Sequence, residues 1–191
     1  MLRKSMGFLL ASMLMNSTFA LTIHQGVILE NKEWTTGNSL IQVKEQPHQS
    51  NKNIRESLLQ NNLKDQEGIL LRNKVDQDVD GVVGKTTAIG GVLETYIENF
   101  TPMAQTYKIS SNFCITTSED SKTNPCHYRS YKIELDPYGW FQLDVIRVFT
   151  YEFPEPGIFG AGFFMTVEKE GGTTMAVTYD LASINIEAVE E

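Results

Sequence analysis

The chain has 191 residues, 24 acidic against 16 basic side chains and a formal charge of −8, so a nucleic-acid backbone would meet a repelling field with no basic stripe to overcome it. The same charge argues against adsorption to anionic lipid. The length suffices for one hydrophobic core and is marginal for two.

Residues 1–20 read as a cleavable secretory signal. Arg3 and Lys4 give a positive start, residues 6–15 are apolar and uncharged, and Thr18-Phe19-Ala20 puts small residues at the positions a signal peptidase reads, before Leu21. The apolar stretch is far shorter than the roughly 20 residues a bilayer span needs, so an uncleaved anchor is the lesser alternative. No other segment has the length and composition to cross a membrane as a helix. Cleavage removes two basic residues and leaves 14 − 24 = −10, which suits a soluble protein exported to the periplasm or beyond.

Residues 21–53 form a polar lead-in, expected to be partly disordered. From residue 30 onward Asn, Gln, Lys, Thr, Pro and His dominate, with Trp34 placed to dock it locally. One helix is then predicted, because Ile54, Leu58, Leu59 and Leu63 fall at helical spacing, Asn53 offers an N-cap and Gly68 a stop. From Gly68 the period becomes two. Strands are predicted at 69–75, 91–99, 105–117, 128–136, 140–153, 157–169 and 173–186. Turn chemistry separates them at Asp136-Pro137-Tyr138-Gly139, Pro154-Glu155-Pro156-Gly157 and Gly171-Gly172. In 140–153 both alternating sets are partly apolar, so that strand is covered on both faces. The fold class expected is mainly β with one N-terminal helix, an α+β arrangement in which residues 54–191 make a single antiparallel sandwich or curled, barrel-like sheet.

Asp76-Gln77-Asp78-Val79-Asp80-Gly81 opens like a calcium loop: carboxylates at alternate positions can converge on a hard cation, and the glycine permits the turn. Position 12 of an EF-hand count is Thr87 rather than glutamate, so the alternative is an exposed acidic turn; calcium is the one cofactor the sequence suggests. Residues 81–87 end like a phosphate-binding loop, but the required first glycine falls at Val79.

Cys114 and Cys126 are the two cysteines, and in an oxidising compartment such a pair reads as one disulfide. A nucleophilic cysteine beside His127 is the weaker reading, since neighbours on a strand point to opposite faces. His24, His48 and His127 lie in no nucleophile or zinc motif. Carboxylates such as Glu152 with Glu155, or Asp144 among apolar neighbours, leave open a hydrolase assembled by the fold. Aromatic residues crowd two predicted hairpins, and Tyr138 with Trp140 at one tip is a candidate binding patch for a protein or a glycan, most other rings being needed for the core.

Ala88-Ile89-Gly90-Gly91 opening one strand, Tyr107-Lys108-Ile109-Ser110-Ser111 in the next, and 128–135 followed by the turn at 136–139, all after an exported leader, resemble the VirK family of small exported bacterial proteins over about residues 50–170. The resemblance implies a secreted or periplasmic protein linked to virulence, and carries no site residues. Two functions are therefore expected in competition: a non-enzymatic exported factor that binds another macromolecule, and a secreted hydrolase or calcium-dependent module. Two facing carboxylates in a cleft would favour the hydrolase. An exposed aromatic patch without such a cleft would favour the binder.

Overall fold

The computed structural model describes residues 21–37, 41–48, 68–117 and 124–189. The predicted signal at 1–20 and the predicted helix at 54–63 lie outside the described residues. Among the described residues every regular element is a strand: β1 (Leu21–Thr36), β2 (Gln42–Pro47), β3 (Gly68–Val75), β4 (Val79–Val82), β5 (Thr86–Glu98), β6 (Gln105–Thr116), β7 (Cys126–Glu152), β8 (Gly157–Lys169) and β9 (Thr173–Glu187). The main path through the sheet runs β3-β5-β7-β6-β8-β9-β4, with β1 and β2 both paired to β7.

The described residues of the polar lead-in, 21–37 and 41–48, thus join the sheet through β1 and β2, a correction to the expectation of a partly disordered arm there. β1 pairs along β7 from Leu21 opposite Leu143 to Thr36 opposite Cys126, and β2 pairs with β7 from Gln42 to Pro47. Its polarity misled because β1 is an edge strand, where one rim and most side chains stay in water and alternation fades.

The predicted hairpin turn at Asp136 to Gly139 is also corrected. Residues 126–152 form one 27-residue strand, and the four residues make a bulge opposite the single residue Gln25. Gln25 and Tyr138 both take positive φ, 51° and 62°, and a Cβ on Gly139 would collide with the Gln25 carbonyl oxygen, so glycine is needed there. Asn99, wholly buried, staples the bend: its Nδ2 donates to the carbonyls of Met103 (2.8 Å) and Asp136 (3.0 Å), while its Oδ1 accepts from Thr101 N (3.0 Å).

The bend folds the sheet over itself. Fully extended, His127 and Phe149 would stand roughly 70 Å apart along one strand, yet their ring centroids are 6.0 Å apart. One half consists of β3, β5, β2 and residues 140–152 of β7; the other of residues 126–135 of β7 with β6, β8, β9 and β4. Odd-numbered residues of β6, β7 and β8 face inward, among them Phe113, Ile133, Phe141, Phe149, Phe163 and Met165, all at or near zero exposure. Phe113 stacks on Phe149 at 3.9 Å, and Phe163 meets both edge-on. Each such ring stabilises the fold by roughly 1.5–3 kcal/mol on burial. The mainly β, curled architecture expected from the two-residue period is what the strands build.

Candidate functional site

The register of the second half places four aromatic residues in one line across its outer face. Trp34 on β1 is opposite Tyr128 on β7, Tyr128 opposite Asn112 on β6, Asn112 opposite Phe164 on β8, and Phe164 opposite Tyr179 on β9. At about 4.8 Å between strands the row spans roughly 19 Å. These positions belong to the phase of each strand that faces away from the core, so the rings fill no interior space: Trp34 is 46% and Tyr179 68% exposed. Trp34 and Tyr128 stack at 5.2 Å with planes 5° apart, which occupies one face of each ring. Between them and Phe164 lies a recess of about 210 Å³ whose lining includes Ser110, Asn112 and Thr166, hydroxyl and amide groups able to donate and accept.

An ionic cluster between the two halves fastens β1, and hence Trp34, to the sheet. Arg147, 1% exposed, donates from Nε to Glu45 Oε1 (2.6 Å) and from Nη1 to Ser111 Oγ (2.8 Å). Arg129 Nη1 lies 2.7 Å from the other oxygen of Glu45 and 3.8 Å from Glu33. His127 Nε2 is 2.7 Å from Glu33 Oε1. That hydrogen bond, ahead of the opposing effect of burial, holds the Glu33 carboxyl below the usual glutamate range. Burial dominates for His127 and pushes its imidazole down despite Glu33, so the contact is a neutral ring N–H donating to a carboxylate. β7 supplies the cations and the edge strands β1 and β2 supply the anions.

The outer face of the other half carries a group of charges beside the apolar Ile146 and Val148. Glu94 on β5 is opposite Asp144 on β7 and Arg72 on β3, with Arg72 Nη1 at 3.6 Å and His48 Nε2 at 3.7 Å from the Glu94 carboxylate. Asp144 is 7% exposed; Gln142 Nε2 donates to its Oδ2, and its Oδ1 is buried without a hydrogen-bond partner among the described residues. Burial first, then the Gln142 bond in opposition and the Glu94 charge, set its carboxyl above the ordinary aspartate range. A recess of about 490 Å³ nearby is lined by His48, Arg72 and Glu94 but not by Asp144. The two carboxyls therefore stand side by side on one sheet face with one covered, whereas glycoside hydrolysis needs both to reach the scissile bond from opposite sides.

The sequence-predicted residues distribute as follows. Cys114 and Cys126 lie directly opposite on β6 and β7 with Cα atoms 4.1 Å apart and form the disulfide; His127 faces the interior, away from it. Tyr138 is exposed at the bend. Trp140, half-buried, sits between His24 (5.6 Å) and Tyr96 (6.1 Å) in a stacked group. Asp76, Asp78 and Asp80 do not converge. Asp76 accepts from Gly90 N (3.0 Å) and Asp80 from Asn185 (3.3 Å), Asp78 has φ 53°, and among the described residues no group of three or more His, Cys, Asp or Glu is placed to hold a metal. These donors do not fit a calcium cage, which needs six to eight converging oxygens.

The outer row went unnoticed in the sequence although a signal for it exists. On β9 the outward residues Met175, Val177, Tyr179 and Leu181 are bulkier than the inward Ala176, Thr178, Asp180 and Ala182. A strand with its larger apolar set facing water marks a contact surface.

No family model matches the chain, and no curated protein does. Among solved structures, a CARDB domain from Pyrococcus furiosus aligns at 13% identity over 64% of this chain and 96% of that one, with a TM-score of 0.32. The major subunit AggA of Escherichia coli aggregative adherence fimbriae aligns at 10% identity over 62% and 95%, TM-score 0.31. A cohesin module from a Clostridium perfringens family 33 glycoside hydrolase aligns at 14% over 62% and 99%, TM-score 0.31. At such scores the likeness carries nothing about residues or ligands.

Proposed function

We propose that the protein is a non-enzymatic, exported binding module that captures another protein on the aromatic row of its outer sheet face. The observation that carries this reading is the cross-strand line of Trp34, Tyr128, Phe164 and Tyr179 on a face where packing requires none of them. Aromatic anchors around a small polar recess are what protein interfaces concentrate at their centres. A protein partner is favoured over a glycan because sugars stack on free ring faces, and Trp34 and Tyr128 each give one face to the other. Export, and a setting in virulence, follow from the leader and the VirK resemblance as parts of the same proposal.

A photo-reactive phenylalanine analogue at Phe164 is expected to cross-link a discrete protein in the native host or its surroundings. The same analogue at Thr150, on the outer face of the other half, is expected to give none, and alanine at Trp34 is expected to abolish the Phe164 adduct. Adducts of equal yield from both faces would overturn the assignment. Binding to a glycan panel that is lost in the Trp34 variant would replace the protein partner with a sugar.

A further inference from the structure

Glu33 and Trp34 are consecutive on β1, and His127 and Tyr128 are consecutive on β7, so each strand sends one of its two residues between the sheet halves and the other onto the outer face. Outside, Trp34 stacks on Tyr128. Directly behind, His127 Nε2 donates to Glu33 Oε1 at 2.7 Å. The two contacts hold the same stretch of β1 from opposite sides of the sheet, so whatever loosens the inner one also frees the ring outside.

The inner contact is sensitive to one proton. Among the described residues the titratable and charged groups facing His127 are Glu33 from β1, Glu45 from β2, and Arg129, Tyr131 and Arg147 from β7. β6 brings the Ser111 hydroxyl and Phe113, which is opposite His127 in register, and Phe149 packs against the imidazole. Burial raises the Tyr131 phenol above its ordinary range, so it stays neutral. With the imidazole neutral, two guanidinium groups and two carboxylates balance. A proton added at Nδ1 puts a third cation on a residue only 2% exposed, and neither carboxylate is spare: Glu45 spans both arginines, at 2.6 and 2.7 Å, and Glu33 also faces Arg129 at 3.8 Å. Hydrating the charged ring requires a covering strand to move. β1 and β2 each pair with β7 alone, which makes them the strands free to do so.

We propose that His127 and Glu33 form an acid-sensitive latch on the aromatic row: protonation of the imidazole loosens residues 30–36 of β1 from β7 and withdraws Trp34 from the face that captures a partner. The release of a partner rests on the function proposed above, whereas the latch itself does not. Burial, ahead of the opposing Glu33 bond, holds the imidazole below the ordinary histidine range. The stability it contributes is therefore present in full above the unfolded value of about pH 6.5 and is lost as pH falls towards the folded one. The Glu33 carboxyl, held below the glutamate range first by the His127 bond, stays ionised down to about pH 5, so the proton sensed in that window is the imidazole's.

Hydrogen exchange across about pH 5 to 8, corrected for the intrinsic pH dependence of amide exchange, tests the latch without any ligand. The hydrogen-bonded amides of residues 30–36 are expected to exchange faster than those of residues 109–113 in β6, and to lose protection below about pH 6.5 by up to about tenfold per pH unit, the limit for one proton. His127→Gln, which keeps a donor for Glu33 but does not titrate, is expected to remove that pH dependence. Should the variant fail to fold, the NMR titration of the His127 ring in the wild type serves instead, with a midpoint below 6.5 expected. Protection of β1 that is independent of pH, a pH dependence that survives in His127→Gln, exchange in β1 no faster than in β6, or a ring titrating at or above 6.5 would each overturn the latch. A Phe164 cross-link of equal yield at pH 7.5 and 5.5, while β1 loosens, would overturn its control of the partner and leave the capture itself standing.

Discussion

Two ionisable clusters flank the same strand and solve the same physical problem in opposite ways. Between the sheet halves, Arg129 and Arg147 of β7 meet Glu33 and Glu45 of the edge strands, so signs are matched and the guanidinium groups are bridged by carboxylates. On the outer face a few residues away, Asp144 and Glu94 share a sign; Arg72 and His48 lie beside Glu94, and among the described residues the neutral amide of Gln142 is the side-chain donor to Asp144. In the first cluster carboxylates and a hydroxyl replace water at Arg129 Nη1 and at Arg147 Nε and Nη1, while Arg129 Nε and Arg147 Nη2 are buried without a hydrogen-bond partner among the described residues. The second adapts by favouring a proton on Asp144.

The sharpest way to break this contrast is Glu45→Gln. It leaves Arg147, almost wholly buried, without its counter-ion, and is expected to lower stability by about 3 kcal/mol, the cost of removing one member of a buried pair; urea unfolding measures it, and a loss within error of zero would mean that the cluster is open to solvent. Asp144→Asn is expected to act in the other direction and more weakly. A carboxyl whose folded pKa is raised contributes stability in full below its unfolded value and loses it as pH rises through the folded value, so the neutral variant is expected to be the more stable at pH 7, with the difference vanishing below about pH 4. Thermal unfolding of both proteins across that range decides it; a variant less stable at pH 7 would show that an ionised Asp144 has a partner. The smallest effect expected is from calcium. With Asp76 and Asp80 engaged separately by Gly90 and Asn185, melting in excess calcium and in chelator is expected to coincide, and a shift of several degrees that Asp78→Ala removes would establish that the loop closes on the ion.

Much of the sheet was legible because its strands obey one rule. β3, β6, β8 and β9 begin and end within a residue or two of the expected bounds, since an apolar residue every second position, closed by glycine or proline, has few other solutions. β1 and β2 were not legible, because an edge strand needs only one neighbour and tolerates polar side chains on the rest of its surface. The chain around Pro137 and Gly139 reads as a hairpin turn, and only the continuous partner β1, a hundred residues away in sequence, makes it a bulge within one strand. Of the candidate site, the disulfide was legible from two cysteines and a compartment. The aromatic row was not, because Trp34, Tyr128, Phe164 and Tyr179 are aligned by register across five strands, a quantity no local pattern contains.

The doubled strand β7 also sets an order of events. Leu21 must find Leu143, and Gln42 must find Thr150, so the first two strands to leave a ribosome or a translocation pore have nothing to pair with until about three quarters of the chain has followed. Closing loops of that size carries an entropic toll before any contact forms, which places this topology among slow folders. β3 and β5 need only each other to pair, whereas β1 and β2 wait for residues 126–152, so the sheet is expected to close around β7 after its first hairpin has formed.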